Sequence, residues 1–140
     1  MSQQRRSGDE DLTYREWHRA PTLPRGCYMY DIDALEARSG GKLAAVIETK
    51  RVGWQQSKGT EYQLECIALL GARAGVPALL VEYEPSGPRE VIGEVFVYDS
   101  IGQFYVTDLT TGSRMALSEA DFRGFIENVP ESVAQKQQVP

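Results

Sequence analysis

An unbroken apolar run, Leu43 to Ile47, restricts the fold more than any other feature of the sequence. A strand with one face in water alternates apolar and polar residues, whereas a run without alternation has both faces covered, as in a central strand. The segment 43–52 (LAAVIETKRV) therefore predicts a central strand. The preceding segment 27–37 (CYMYDIDALEA) alternates, and the glycine-rich turn at 38–42 joins the two strands as a hairpin.

The rest of the sequence predicts three helices and three further strands around this hairpin. A short first helix begins near Thr13, where Thr13 and Glu16 form a capping box, and Leu12 and Trp17 occupy the positions of a hydrophobic staple. A second helix begins near Thr60. Further elements are a strand over 77–84, a turn over 85–90, two strands over 91–99 and 103–109 joined by a turn at 100–102, and a closing helix from Ser118.

The closing helix carries an apolar stripe. Phe122, Phe125, Ile126 and Val129 recur at the spacing of one helix face, which is typical of a core or docking surface. The predicted order is α-β-β-(β)-α-β, followed by a β-hairpin and a helix. The fold class is therefore α/β, in the form of an α+β domain with a mixed sheet.

The length of 140 residues suits one domain. We expect it over 12–130, with a core over 12–84 and the hairpin and helix over 90–130. The polar residues 1–11 predict a disordered arm, and 131–140 predict a flexible tail. Because no segment reaches the roughly 18 apolar residues of a membrane helix, we expect a cytoplasmic protein without a membrane partner.

Cysteine, histidine and charge exclude several kinds of site. Cys27 and Cys66 are too few for a disulfide framework or a four-cysteine zinc site, and we expect both to fill apolar space. The single histidine excludes sites that need two. A net charge of −5 argues against a basic, non-specific coat for DNA but allows a local basic groove.

Charged residues end the predicted central strand. Glu48 and Lys50 are two positions apart and so point to the same face. If the hairpin closes around 39–41, Asp33 lies opposite Glu48 and Asp31 lies opposite Lys50. Directly opposed residues have Cβ atoms roughly 4.5–5.5 Å apart, so two carboxylates there would repel each other.

A divalent cation resolves this repulsion. Two carboxylates and the main-chain carbonyl of Thr49 form the oxygen-rich site that Mg²⁺, or Mn²⁺, uses. Lys50 beside the metal would orient a water molecule and stabilise charge on a phosphoryl oxygen, which indicates phosphodiester hydrolysis. A Glu-x-Lys motif alone arises by chance, usually as an exposed salt bridge. The glycine turn, the apolar run and the following helix together favour the functional interpretation.

The residues DID, 14 intervening residues and ETK resemble the signature of the PD-(D/E)XK (restriction-endonuclease-like) nuclease superfamily. The resemblance spans roughly Leu12–Glu84 and implies an α-β-β-β-α-β core. It also implies a Mg²⁺-dependent nuclease in which Asp33 and Glu48 bind the metal and Lys50 is catalytic. Ile32 stands where the superfamily signature has proline. Small nucleases of this type often act on DNA structures or ends, and many come from phages or mobile elements.

The resemblance adds two supporting candidates, because some relatives carry an acid on the first helix and a glutamine on the helix after Glu-x-Lys. Glu16 and Gln63 occupy those places, although each also fits the third position of a capping box. Arginines bind phosphates, and aromatic rings stack on bases. The residues expected to contact nucleic acid are Arg15, His18, Arg19, Arg25, Arg51, Trp54 and Lys58.

Two alternatives remain at this point: a non-catalytic nucleic-acid-binding module on the same fold, and a protein-interaction domain. Within the nuclease hypothesis we expect DNA as the partner. We also expect a homodimer, since one Asp/Glu/Lys set cuts one strand at a time and twofold dimers are the commonest oligomers. Its interface would use the last third of the chain, with Phe96, Tyr98, Phe104, Tyr105 and the closing helix.

Overall fold

The computed structural model describes Thr13, Trp17, Tyr30 and residues 32–129, and divides the chain into two units, Met1–Asp31 and Ile32–Pro140. In the first unit Thr13 and Trp17 are helical, as the sequence predicts, and Trp17 is exposed. The predicted arm (1–11) and tail (131–140) lie outside the described residues.

The second unit is an α+β fold with a mixed sheet. Five strands are described, in the spatial order β1-β2-β3-β4-β5. Strands β2 and β3 are parallel and are connected through helix α1, while all other neighbours are antiparallel. The elements are β1 (Ala34–Arg38), β2 (Lys42–Arg51), α1 (Lys58–Ala74), β3 (Ala78–Ile92), β4 (Val95–Asp108), β5 (Arg114–Leu117) and α2 (Glu119–Glu127).

The β1–β2 hairpin has the predicted register. Ala34 pairs with Ile47, so continuing the ladder by one position places Asp33 opposite Glu48. A bulge after Glu36 absorbs one residue of β2 before the turn. Residues 44–48 of β2 are all buried, which confirms the central strand inferred from the apolar run.

The two faces of the sheet are covered by different helices. On the face that we call the α1 face, Val46 and Ala78 pack against Ile67 of α1. On the opposite face, the α2 face, Phe125 and Val129 pack in a larger core. Val46 of β2 therefore belongs to one core, and its neighbours Ala45 and Ile47 belong to the other. The members of the larger core are Ala44, Ala45, Ile47, Leu79, Val81, Phe104, Val106, Phe125 and Val129.

The apolar stripe of α2 is a core contact within the chain. Phe122 stacks on Phe104 with ring centroids 4.0 Å apart, and Phe125 is buried. Ser118 caps the helix by accepting a hydrogen bond from the Asp121 N–H, as its predicted start requires. Phe104 and the stripe are thus used inside the chain and do not supply the dimer surface that the sequence suggested.

Two predicted turns are wrong. Strand β3 runs through 85–90 and β4 runs through 100–102, and the hairpin turns instead at Gly93 and Glu94. Gly93 has a φ of 63°, which suits a tight turn. The register of the β3–β4 ladder shifts next to Pro85 and again after Ser86. Proline has no backbone N–H to donate, and an irregularity of this kind lets it stay within the strand. Strand β5 was not predicted.

Helix α1 begins earlier than expected. Ser57, not Thr60, is its N-cap, and Ser57 and Thr60 form the capping box, so Gln63 is not its third residue. The Ser57 hydroxyl accepts from the Thr60 N–H, and the Thr60 hydroxyl accepts from the Ser57 N–H, which satisfies two otherwise unpaired donors. Cys66 is exposed on this helix, contrary to its expected role as buried filler.

Neither helix in residues 32–129 has the length and apolar character needed to cross a lipid bilayer.

Candidate functional site

Glu48 is a buried carboxylate at a position where core residues are normally apolar. It shares the α1 face with Val46 and is only 2% exposed. Its Oε2 lies 3.4 Å from Lys50 Nζ. Its Oε1 is buried without a hydrogen-bond partner, the one such side-chain atom in the part of the chain that the structure covers. A buried carboxylate oxygen left unpaired is costly, so stability alone does not explain this atom.

Thr49, the residue after Glu48, holds the side chain of Asp33 by two hydrogen bonds. Its Oδ2 accepts from the Thr49 N–H at 2.9 Å and from the Thr49 hydroxyl at 3.0 Å. The register of β1 against β2 puts Asp33 opposite Glu48, as the sequence predicts. Because the N–H and C=O of a strand residue point to the same side, the Thr49 carbonyl also lies on the side of β1.

The pKa of Glu48 is raised above its ordinary value of 4.5. Burial is the largest cause, because it disfavours the charged form, and the negative charge of Asp33 is the second. The charge of Lys50 and hydrogen bonds from Lys50 and the Asp33 backbone act in the opposite direction but do not cancel these effects. Burial and the charge of Asp33 together therefore outweigh the effect of Lys50 on the pKa of Glu48.

A second set of contacts continues across the α1 face from Lys50. The Lys50 ammonium lies 5.3 Å from the centroid of the Trp54 ring, and the indole Nε1–H donates to Glu82 Oε2 at 2.9 Å. Arg114 Nη2 reaches Glu82 Oε1 at 3.4 Å, and the Arg114 guanidinium lies 4.5 Å from the Tyr105 ring centroid. Charged and aromatic groups of β2, β3, β4 and β5 thus form one row beside Glu48.

The other predicted site residues and nucleic-acid contacts do not all belong to this row. Arg51 lies one position from Lys50 and therefore on the opposite face, where it donates to the Tyr98 hydroxyl at 3.1 Å. Lys58 is exposed and pairs with Glu61. Gln63 is half-buried within α1. The candidates outside the described residues are Arg15, Glu16, His18, Arg19, Arg25 and Asp31.

Glu82 and Arg114 were not predicted as site residues, and Tyr105, which was expected at a dimer interface, lies instead against Arg114 in this row. Glu82 had a usable signal, because it ends the apolar run ALLV as Glu48 ends AAVI, and parallel pairing of the two strands sets Glu82 beside Lys50. Arg114 had no comparable signal, since its position depends on β5, a strand of four residues.

Within residues 32–129 and the three earlier described positions, no cluster of three or more acidic, histidine or cysteine side chains fits a metal centre. The oxygen donors that the structure brings together are the carboxylates of Asp33 and Glu48, with the Thr49 carbonyl beside them. No protein-family model, curated protein or solved structure matches the chain.

Proposed function

We propose that the protein is a divalent-metal-dependent nuclease that hydrolyses phosphodiester bonds, with DNA as its substrate. The observation that carries the proposal is the buried, unpaired Oε1 of Glu48 beside a second carboxylate, Asp33. Two repelling acids are a poor choice for stability alone, and a cation between them supplies the missing partner.

The donor set fits Mg²⁺ or Mn²⁺. Asp33, Glu48 and the Thr49 carbonyl offer only oxygen, and Mg²⁺ typically takes one or two carboxylates and keeps several waters. The residues that would hold it are these three, with Asp31 as a further candidate. When bound, the cation would lower the pKa of a coordinated water and stabilise negative charge on a phosphate.

Lys50 supplies the positive charge of the chain itself. Its ammonium is held 3.4 Å from Glu48 and is partly open to solvent, with 23% of its side chain exposed. A substrate phosphate can therefore approach it from the solvent side. In this role Lys50 orients the attacking water and stabilises the developing charge on the phosphoryl oxygen.

The order of elements offers partial support for the restriction-endonuclease-like topology. Residues 32–92 follow the order β-β-α-β, with the Glu-x-Lys motif at the end of the strand before the helix. Two strands precede α1 in this stretch, one fewer than the resemblance implies. The described residues therefore match the implied core only in part.

Cleavage of a panel of labelled substrates tests the proposal. Single-stranded, duplex and branched DNA, and RNA, are incubated with the protein and Mg²⁺, Mn²⁺ or EDTA. We expect cleavage of DNA with either metal and none with EDTA. Glu48→Gln should be inactive, while Glu36→Gln, which changes an acid of β1 paired with Arg38, should cleave normally.

Three results would overturn the proposal. Cleavage that persists in EDTA, or that is equal in Glu48→Gln and the native chain, excludes the metal site. Absence of cleavage on every substrate, together with DNA binding, would instead favour a non-catalytic module.

A further inference from the structure

We propose that Trp54 is a positioning residue for Lys50, and that Glu82 and Arg114 hold Trp54 in place. This inference rests on the proposed function, since it assigns Trp54 a part in the same site. It replaces the expectation that Trp54 stacks on a nucleic-acid base.

A tight turn brings Trp54 back over the strand that it follows. The Trp54 N–H donates to the Arg51 carbonyl at 3.1 Å, and the Val52 N–H anchors the turn to β3 through the Tyr83 carbonyl at 2.8 Å. Gly53 has a φ of 95°, which the third position of such a turn requires. The ring consequently lies within cation–π range of the Lys50 ammonium, at 5.3 Å.

Lysine has a flexible four-carbon stem and needs external contacts to hold its charge in one place. Here the ammonium has Glu48 on one side and the Trp54 ring on another. The two contacts differ in kind, because the contact with Glu48 is an ion pair and the contact with Trp54 is a cation–π interaction with the ring. Together they restrict where the ammonium can lie relative to the Asp33–Glu48 pair.

Trp54 is itself fixed through its indole N–H. Glu82 accepts that hydrogen bond at 2.9 Å with one carboxylate oxygen and binds Arg114 with the other at 3.4 Å. The Glu82 side chain is only 18% exposed, so its orientation depends on these two partners. A ring that is half-buried, with its N–H engaged and Lys50 near it, suits a positioning role better than base stacking.

Steady-state cleavage kinetics of Trp54→Leu, Trp54→Phe and Glu82→Leu test the assignment. Displacement of a catalytic group by about 1 Å can cost 100-fold in rate, so Trp54→Leu should lower kcat roughly 10- to 100-fold with little change in KM. Trp54→Phe keeps a ring and should retain part of kcat. Glu119→Gln, in the Glu119–Arg123 pair of α2, is the matched control and should not change either constant.

A second readout does not need activity. The ring current of Trp54 should shift the NMR signals of the Lys50 ε-methylene protons in the native chain. The shift should vanish in Trp54→Leu and persist in Trp54→Phe, with folding of each variant checked by thermal unfolding. If the native chain fails to cleave, the proposed function fails, while this readout still decides whether Trp54 positions Lys50.

Two outcomes would overturn the inference. A Trp54→Leu variant that raises KM with unchanged kcat makes Trp54 a substrate contact. Lys50 signals that are identical in the native chain and in folded Trp54→Leu show that the ring does not position the ammonium.

Discussion

The burial of Glu48 lowers the stability of the folded chain, whereas the proposed function depends on it. Burial and the charge of Asp33 raise its pKa, so the charged form is held at a cost that the folded chain does not fully offset. Stabilising residues seldom combine burial, charge and an unpaired oxygen. The same features carry the proposal that Glu48 binds a cation.

A pH series of unfolding measurements on Glu48→Gln tests this cost. A carboxyl with a raised folded-state pKa gives stability that is present below its ordinary value of 4.5 and is lost as the pH rises through the raised value. With EDTA present, Glu48→Gln should therefore be more stable than the native chain at neutral pH and should lose this advantage in acid. A native chain that is equally or more stable at neutral pH would contradict the raised pKa.

Lys50→Met tests the role of the ammonium in catalysis. Methionine keeps much of the stem but removes the charge, so the fold should survive while cleavage falls by about 100-fold or more. The urea midpoint and the far-UV circular dichroism spectrum check folding, and initial cleavage rates check activity. A folded variant with native turnover would show that Lys50 is not catalytic.

At the scale of elements, the site depends on how closely α1 approaches the sheet. Gly71 is buried in α1, and a Cβ there would lie 2.8 Å from Ala78 Cβ and 2.9 Å from the Val76 carbonyl oxygen. The Val76 N–H also donates to the Gly71 carbonyl at 3.0 Å, so the helix end and the start of β3 are tied together. Close packing at this point sets the helix against the α1 face, on which Glu48 lies.

Gly71→Ala should destabilise the fold by roughly 1–3 kcal/mol, because the added methyl group overpacks a rigid contact. Gly124→Ala in α2 is the matched control, since nothing lies within 4 Å of a Cβ there. That control should stabilise the chain by about 0.5–1 kcal/mol through helix propensity. Urea unfolding gives both values, and a neutral Gly71→Ala would refute the close approach.

Sequence predicted elements well where one local signal decided them. The run Leu43–Ile47 specified a central strand, and the glycine turn located the hairpin. The register that brings Asp33 opposite Glu48 also needs the bulge after Glu36, which has no clear signal in the sequence. Pro85 and Gly102 misled, because turn composition can also be absorbed as irregularity within a long antiparallel pair. The contact of Trp54 with Glu82 could not be predicted in the same way as the position of Glu82, since it also needs the turn that brings Trp54 back over β2.

At the scale of the whole molecule, the described part of the chain offers the one set of Asp33, Glu48 and Lys50. Symmetric cutting of a duplex needs two sets, which is the remaining basis for a homodimer now that Phe104 and the α2 stripe are placed in the chain's own core. Light scattering at micromolar concentration should give twice the 15.6 kDa chain mass. A species of one chain mass that cuts both strands fully would contradict the dimer.

Calorimetric titration of Mn²⁺ into the native chain tests the central claim, that Asp33 and Glu48 hold a divalent cation. We predict saturable binding at one site per chain, lost in Glu48→Gln, strongly weakened in Asp33→Asn and kept in Glu36→Gln. Asp31→Asn should have a smaller effect than Asp33→Asn. A native chain that binds no Mn²⁺, or a Glu48→Gln variant that binds it as tightly as the native chain, would show that these two carboxylates do not hold the cation.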